Sequence, residues 1–314
     1  MIWYSYYLIT RNNRGQFVIA PPHNLCYYGI MKINLAKSAG FCFGVKRALK
    51  IAFELAKSKR RVEMLGNIVH NEKVVNEINK SGIKKVNRLR NGKNKILLIP
   101  AHGTCIDTIK KAKDLGYKII DATCPMVKQI HKIAVDQENK GYRIIVIGDK
   151  KHDEVRGVTG QLKNKSLIID SLNRIPFKTI RHLDKACVVA QSTQNLNKVL
   201  KIVGVLKPYI KKIVFFNTIC IPTRTKQKEI KTMPLKNDVM VIIGSKTSAN
   251  TKRLYEISKS LNKQTHWVQS KREIKPNWFK TDSSVGVTSG ASTPDSTTQE
   301  IINYIKQISN AGDL

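Results

Sequence analysis

From Met31 onward the chain alternates short apolar runs with longer segments whose apolar residues recur at helical spacing. The runs at 32–36, 96–99, 119–120, 144–147, 188–190, 213–216, 239–243 and 285–287 read as strands. Segments 126–140, 196–206, 252–261 and 297–308 read as amphipathic helices. Strands alternating with helices predict an α/β fold with mainly parallel sheets. No stretch rich in Pro, Gly or Ser separates one part from another, so the parts are expected to pack together.

The first 30 residues break this pattern. Residues 1–7 and Cys26, Tyr27 and Tyr28 are rich in aromatics and show no clear strand or helix period. They lack the basic start, apolar core and cleavage site of a secretory signal in that order. Two expectations follow for this N-terminal extension: translation starts at Met31, or 1–30 is a disordered appendage.

The loops after the strands hold the candidate chemistry. Ala101, His102, Gly103 and Thr104 follow 96–99; the run from Gly148 to Glu154 follows 144–147; Gln191, Ser192, Thr193 and Gln194 follow 188–190. Two hydroxyl- and amide-rich loops, 244–250 and 288–294, follow the last two strands. Ligands of open α/β sheets lie beyond the carboxyl ends of the strands. Loops 245–250 and 289–293 each lead into a helix, whose free amides and dipole make an anion site. Pro294 suits a first helical position, with Ser292 or Thr293 as cap.

Three cysteines occupy comparable turns: Cys42 in Ala-Gly-Phe-Cys-Phe-Gly, Cys124 in Asp-Ala-Thr-Cys-Pro, and Cys220 in Asn-Thr-Ile-Cys-Ile-Pro. Their spacings of 82 and 96 residues suit three similar lobes, each delivering one thiolate to a shared centre. The expected division is 31–125, 126–217 and 218–314. No Cys-x-x-Cys pair is present to suggest a zinc knuckle or dithiol. Three thiolates on one metal centre leave a position open for chemistry. Cys187, inside an apolar strand, reads as a buried small hydrophobe, and neither Cys105 nor Cys26 is assigned to the metal.

His70, His102 and His152 lie in turns and together can hold a polyanion or relay protons. His131, inside a helix, reads as a packing or surface residue. Glu154 stands two residues after His152 and could deliver a proton to a leaving hydroxyl, or serve only as an N-terminal helix carboxylate.

Composition changes the picture in one respect. Lys and Arg number 56 against 22 Asp and Glu, a formal charge of +34 spread over nearly every predicted helix. It is read as compositional bias, as attraction of an acidic partner, or as nucleic-acid affinity, and charge alone does not choose. Six cysteines in a chain of this size point to a reducing cytoplasm better than to a disulfide framework. No apolar run approaches the roughly 20 residues that cross a bilayer.

The motifs taken together resemble the 4-hydroxy-3-methylbut-2-enyl diphosphate reductase (LytB) family. The resemblance rests on residues 39–45, Val69-His70-Asn71, Ala101-His102-Gly103, 121–125, His152-Asp153-Glu154-Val155 and Gln191-Ser192-Thr193. Cys220, Ser248-Ala249-Asn250 and 290–294 continue the same order, so that it covers essentially 31–308. It implies a cloverleaf of three α/β lobes around one [4Fe–4S] cluster, with Cys42, Cys124 and Cys220 on three irons and the fourth iron open. It implies reductive dehydroxylation of an allylic diphosphate to isopentenyl and dimethylallyl diphosphates, the last step of the non-mevalonate isoprenoid pathway. Glu154 and Thr193 would be catalytic; His70, His102, His152, Ser192, Thr193, Ser248, Ala249, Asn250 and Ser292 would bind substrate. An acidic ferredoxin or flavodoxin would donate electrons, and neither nucleic acid nor membrane is expected as partner. Asp153, Ser192 and Ala249 depart from the family's usual Pro, Thr and Ser. Quinolinate synthase, also resembling three lobes with one cysteine each, is the rival enzyme; an RNA-binding protein is the rival suggested by charge.

Overall fold

The computed structural model describes residues 8–11, 17–20, 31–58, 60–280 and 282–311. Cys26 and most of the N-terminal extension lie outside these residues. Within the extension, β1 (Leu8–Arg11) pairs antiparallel with β2 (Phe17–Ala20), two strands that the aromatic-rich composition did not signal.

Three parallel four-stranded sheets form the body, and they share one strand order. After β3 (Lys32–Leu35) and α1 (Phe43–Ala56), the first sheet is built from β4 (Arg61–Leu65), β5 (Lys84–Val86), β6 (Lys95–Ile99) and β7 (Lys118–Asp121), ordered β5-β4-β6-β7. Its connections include α2 (Glu72–Lys80) and α3 (Ile106–Asp114). After α4 (Pro125–Asn139), the second sheet comprises β8 (Arg143–Ile147), β9 (Leu167–Ile169), β10 (Lys185–Ala190) and β11 (Lys212–Phe215), ordered β9-β8-β10-β11. Here the connections carry α5 (Asp153–Thr159), α6 (Phe177–Ile180) and α7 (Leu196–Leu206). After α8 (Ile221–Ile230), the third sheet holds β12 (Val239–Ile243), β13 (Thr265–Val268) and β14 (Ser284–Ser289), with α9 (Ala249–Leu261) between β12 and β13. Its fourth strand is β3, so the order β13-β12-β14-β3 repeats the other two, and α10 (Asp295–Ala311) ends the described chain.

This pairing corrects the expected first lobe of 31–125. Strand 32–35 lies parallel to β14 in register Ile33 with Val285 and belongs to the third sheet. The helix that follows it packs elsewhere: Val45, Ala48, Leu49 and Ala52 of α1 share a core with Val62, Met64 and Leu98 of the first sheet. The same exchange happens twice more. Ile130 and Ala134 of α4 pack on Ile144 and Val146 of the second sheet, and Ile230 of α8 packs with Met240 and Ile242 of the third. The chain therefore passes from one lobe to the next at three strand-to-helix turns, and those turns hold Cys42, Cys124 and Cys220.

Candidate active site

Three loops of each sheet contribute residues to one cavity, and equivalent loops occupy equivalent positions in it. The first strand of each sheet leads to a capped helix. Asn71 Oδ1 accepts from Val74 N at 3.2 Å beside His70; His152 Nδ1 accepts from Glu154 N at 3.1 Å; Ser248 Oγ accepts from Thr251 N at 3.3 Å. The third strands lead to His102, to Ser192 and Thr193, and to Ser292. The fourth strands lead to the cysteines. All of the sequence-derived site residues (the three cysteines, the three histidines, Glu154, Ser192, Thr193, Ser248, Ala249, Asn250 and Ser292) line one cavity of about 410 Å³.

Each of the three cysteines is the N-cap of its helix, in extended backbone, with no side-chain capping bond. The thiols are free, and each sulfur sits at the positive end of a helix dipole, which favours negative charge. Burial nevertheless pushes the Cys124 thiol up and the Cys220 thiol up to about 11, with Cys42 and Glu154 adding to both. A multivalent cation among them reverses that balance, so the donor set fits a metal centre. Gly44 is required here: a Cβ on it would lie 2.5 Å from Cys124 Sγ.

The three imidazoles form a cluster. His70 stacks on His102 with ring centres 5.1 Å apart and leans on His152 at 4.6 Å. Burial first, then mutual repulsion, pushes His102 and His152 down to about 3, and burial lowers His70. Because His152 Nδ1 accepts a backbone amide, the proton of its neutral ring resides on Nε2. Asp153 Oδ2 stands 3.6 Å from His102 Nε2 and 4.0 Å from His70 Nε2. One ligand atom from each of these three side chains lies within 4.8 Å of the others, and the His70 and His102 rings are inclined by only 22°.

Glu154 is 3 % exposed and accepts Ser192 N at 2.6 Å on one oxygen and Ser192 Oγ at 2.7 Å on the other. Burial raises its carboxyl and the two Ser192 bonds moderate the rise. Ser192 thus lines the cavity with both of its donors turned to Glu154. Beside it, Gln191 Nε2 donates to Thr193 Oγ1 at 3.0 Å, which frees the Thr193 hydroxyl proton to point elsewhere. Gln191 Oε1 is in turn fixed by Asp149 N at 2.9 Å.

Opposite, Asn250 is buried, and neither its Nδ2 nor its Oδ1 has a partner; His70 Nε2 is in the same condition. Unpaired buried polar atoms are costly, and such a group lining a cavity marks where a polar ligand belongs. Ser292 Oγ donates to His70 O at 3.0 Å, joining the third lobe to the first. Pro294 stands just before α10, which starts at Asp295, one residue later than the capping pattern indicated.

The remaining assignments by sequence fare as follows. His131 is a packing residue, since a Cβ on Gly103 would come within 3.0 Å of its Cε1. Cys187 is fully buried in β10 and its thiol is pushed up to about 12 by burial. Cys105 caps α3 and donates to Arg156 O at 3.4 Å, apart from the cavity. Sequence reasoning missed three charged groups around the site, of which Arg253 and Lys226 are buried and Glu229 is half-buried. Arg253 clamps Asp149 at 2.7 and 2.8 Å, binding α9 to the loop before α5. Lys226 and Glu229 of α8 grip the segment before Cys42.

A family model described as LytB protein matches residues 33–306 of this chain. The chain belongs to the LytB family. Among LytB relatives, the 4-hydroxy-3-methylbut-2-enyl diphosphate reductase of Clostridioides difficile is 38% identical over 280 residues, 88% of this chain and 100% of that one. The reductase of the same name from Aquifex aeolicus is 36% identical over 89% of this chain and 97% of its own. A solved structure of (E)-4-hydroxy-3-methyl-but-2-enyl diphosphate reductase, the terminal enzyme of the non-mevalonate pathway, is 36% identical with a TM-score of 0.66, covering 88% of this chain and 100% of that chain. The E-1-hydroxy-2-methyl-but-2-enyl-4-diphosphate reductase from Plasmodium falciparum superposes with a TM-score of 0.79 at 28% identity, covering 87% of each chain. Among the described residues, no helix is long and apolar enough to cross a membrane.

Proposed function

We propose that this chain reduces 4-hydroxy-3-methylbut-2-enyl diphosphate to isopentenyl and dimethylallyl diphosphates, the last step of the non-mevalonate isoprenoid pathway. One substrate takes up two electrons and two protons and releases water. The observation that carries this reading is a single cavity of about 410 Å³ holding three free thiols at one set of loops and the unpartnered Asn250 amide at another. Such a volume suits a small ligand.

Cys42, Cys124 and Cys220 would hold one [4Fe–4S] cluster, with the fourth iron left without a protein thiolate. When bound, the cluster supplies electrons singly and an iron able to take the substrate's hydroxyl oxygen. His70, His102, His152, Ser248, Asn250 and Ser292, with the backbone of Ala249 at the start of α9, bind the diphosphate. Asn250 Nδ2 and His152 Nε2–H donate to its oxygens, and the N-terminus of α9 adds its dipole. Burial raises the Glu154 carboxyl toward its neutral form, against the two Ser192 bonds, and suits it to pass a proton toward the leaving hydroxyl. Thr193, its oxygen already satisfied by Gln191, donates its own proton to orient that hydroxyl. Ser192 positions the Glu154 carboxyl.

The positive surface supports an acidic ferredoxin or flavodoxin as electron donor, and the free thiols support a reducing cytoplasm. Reconstituted protein, assayed anaerobically with 4-hydroxy-3-methylbut-2-enyl diphosphate and a reduced dye, is expected to oxidise the dye only when substrate is present and to form both products. Full iron and sulfide without turnover would refute the proposal.

A further inference from the structure

We propose that Lys226 and Glu229, on the helix that Cys220 caps, position Cys42 and place a buried ammonium beside the turn that holds it. The inference rests on the cluster assignment made above. Three residues apart, the two side chains share a face of α8 and reach the segment 37–40. Lys226 is 3 % exposed. Its ammonium donates to the carbonyls of Ser38, of Gly40 at 3.2 Å and of Ser289 at 3.0 Å, so each of its three donors has an acceptor. Glu229 takes the complementary groups of the same segment: Lys37 N at 2.6 Å, Ser38 N at 3.1 Å and the Ser38 hydroxyl.

The segment so gripped ends two residues before Cys42. Its far side is tied to the end of β14, where Gly40 N donates to Ser289 Oγ at 2.6 Å and Cys42 N donates to Ala291 O at 3.0 Å. Gly40 itself has φ +88°, a conformation favouring glycine. The Cys42 turn is thus held between α8 and β14, and the helix that fixes it is the one that begins at Cys220. Two of the three cysteine turns are set relative to each other by one helix face.

Charge adds a second effect. All three acceptors of Lys226 are uncharged carbonyls, whose dipoles offset the cation's field only in part and leave its net charge in place. Burial lowers the Lys226 ammonium to about 8, and Cys42, Glu229 and Asp295 oppose that fall, so the potentials are compared at pH 7, where the ammonium is charged. Burying an isolated ammonium costs several kcal/mol, and an anionic centre beside it is a physical reason to keep one. A buried cation stabilises the reduced, more negative state of any redox group at the cysteines, and Glu229 opposes it.

The test measures midpoint potential and iron retention in the cluster-loaded wild type, Lys226→Gln, Lys226→Arg and Glu229→Gln. Lys226→Gln is expected to lower the reduction equilibrium constant about tenfold, a shift of about 59 mV for one electron. Lys226→Arg is expected to restore the wild-type value. Glu229→Gln is expected to move the potential the other way while shedding iron faster to a chelator. A purely structural role would move both neutral variants in one direction. Equal potentials in all four proteins, or a fall in Glu229→Gln, would overturn the inference; the Glu229→Gln result decides even if Lys226→Gln does not fold. A wild type that binds no iron and sulfide would instead refute the cluster assignment itself.

Discussion

The second and third lobes share strand order and loop positions, yet the loops carry opposite chemistry. In the second, the first loop gives His152 and Glu154, and the third loop turns Ser192 inward to hold the carboxyl. Every polar group of Glu154 is satisfied within its own lobe. In the third, the equivalent loop gives Ser248 and Asn250, and the Asn250 amide has no hydrogen-bond partner among the described residues. One lobe satisfies its carboxyl internally; the other leaves its amide unpaired, and the proposed function assigns the first to a proton and the second to an anion. A repeated scaffold fixes where loops converge, while the satisfaction of each polar group distinguishes a catalytic acid from a binding site.

The largest effect should come from what the lobes have in common. Cys220→Ser, Cys124→Ser and Cys42→Ser are each expected to lose iron and abolish turnover, in iron and sulfide analysis alongside the anaerobic assay. A variant that kept full iron and activity would break the equivalence of the three turns. Glu154→Gln comes next: it should lower kcat by about a hundredfold or more with iron content unchanged. Loss of iron in Glu154→Gln would reassign that side chain to the centre's architecture.

On the other side of the comparison, Asn250→Ala should act on binding. A hydrogen bond to a charged group is worth about 1.5–3 kcal/mol, so KM should rise about 10- to 150-fold with a smaller change in kcat. A fall in kcat alone would contradict the division between lobes. Substrate binding should also take up protons at neutral pH. His102 and His152 sit at about 3 and His70 is lowered, so all three start neutral; a bound dianion raises them and draws protons in. Calorimetry in buffers of different ionisation enthalpy would report this, and no uptake would show that the imidazoles bind only as neutral donors.

Ser192→Ala should give the smallest effect. Its hydroxyl bond lowers the Glu154 carboxyl against the rise from burial, so its removal lets that carboxyl rise further. Activity that needs the proton on Glu154 falls as pH increases through this value. The alkaline limb of the kcat profile should therefore move to higher pH in Ser192→Ala. A shift to lower pH would mean that Ser192 acts on the substrate and not on Glu154.

Much of this was legible in the sequence because central parallel strands are continuous apolar runs: 144–147, 188–190 and 239–243 fall within β8, β10 and β12. β5 and the outer strand β13 went unseen because Lys84-Lys85-Val86 and Thr265-His266-Trp267-Val268 show no apolar run, and β9 because its run of Leu167, Ile168 and Ile169 is only three residues long. β4 was hidden because Arg61 and Glu63 interrupt it. The site was legible because its residues sit in short turns between such runs. Long-range exchange was not: nothing local tells that 32–35 pairs with β14 across the whole chain. Lys226 and Glu229 look in sequence like any charged helix face; only the fold brings a distant segment over them, whose carbonyls bury Lys226 and whose amides bind Glu229. Asp153 likewise reads as a departure from a motif, and only the fold sets it against His70 and His102.

The most direct test of the central claim, that three lobes meet at one centre with one position open to substrate, is Mössbauer spectroscopy of the iron-57-loaded protein with and without 4-hydroxy-3-methylbut-2-enyl diphosphate. The account predicts that about one quarter of the iron is distinct, as in a cluster with three thiolate-bound irons, and that this fraction alone shifts strongly on adding substrate. Four equivalent irons, or a spectrum indifferent to substrate, would contradict it.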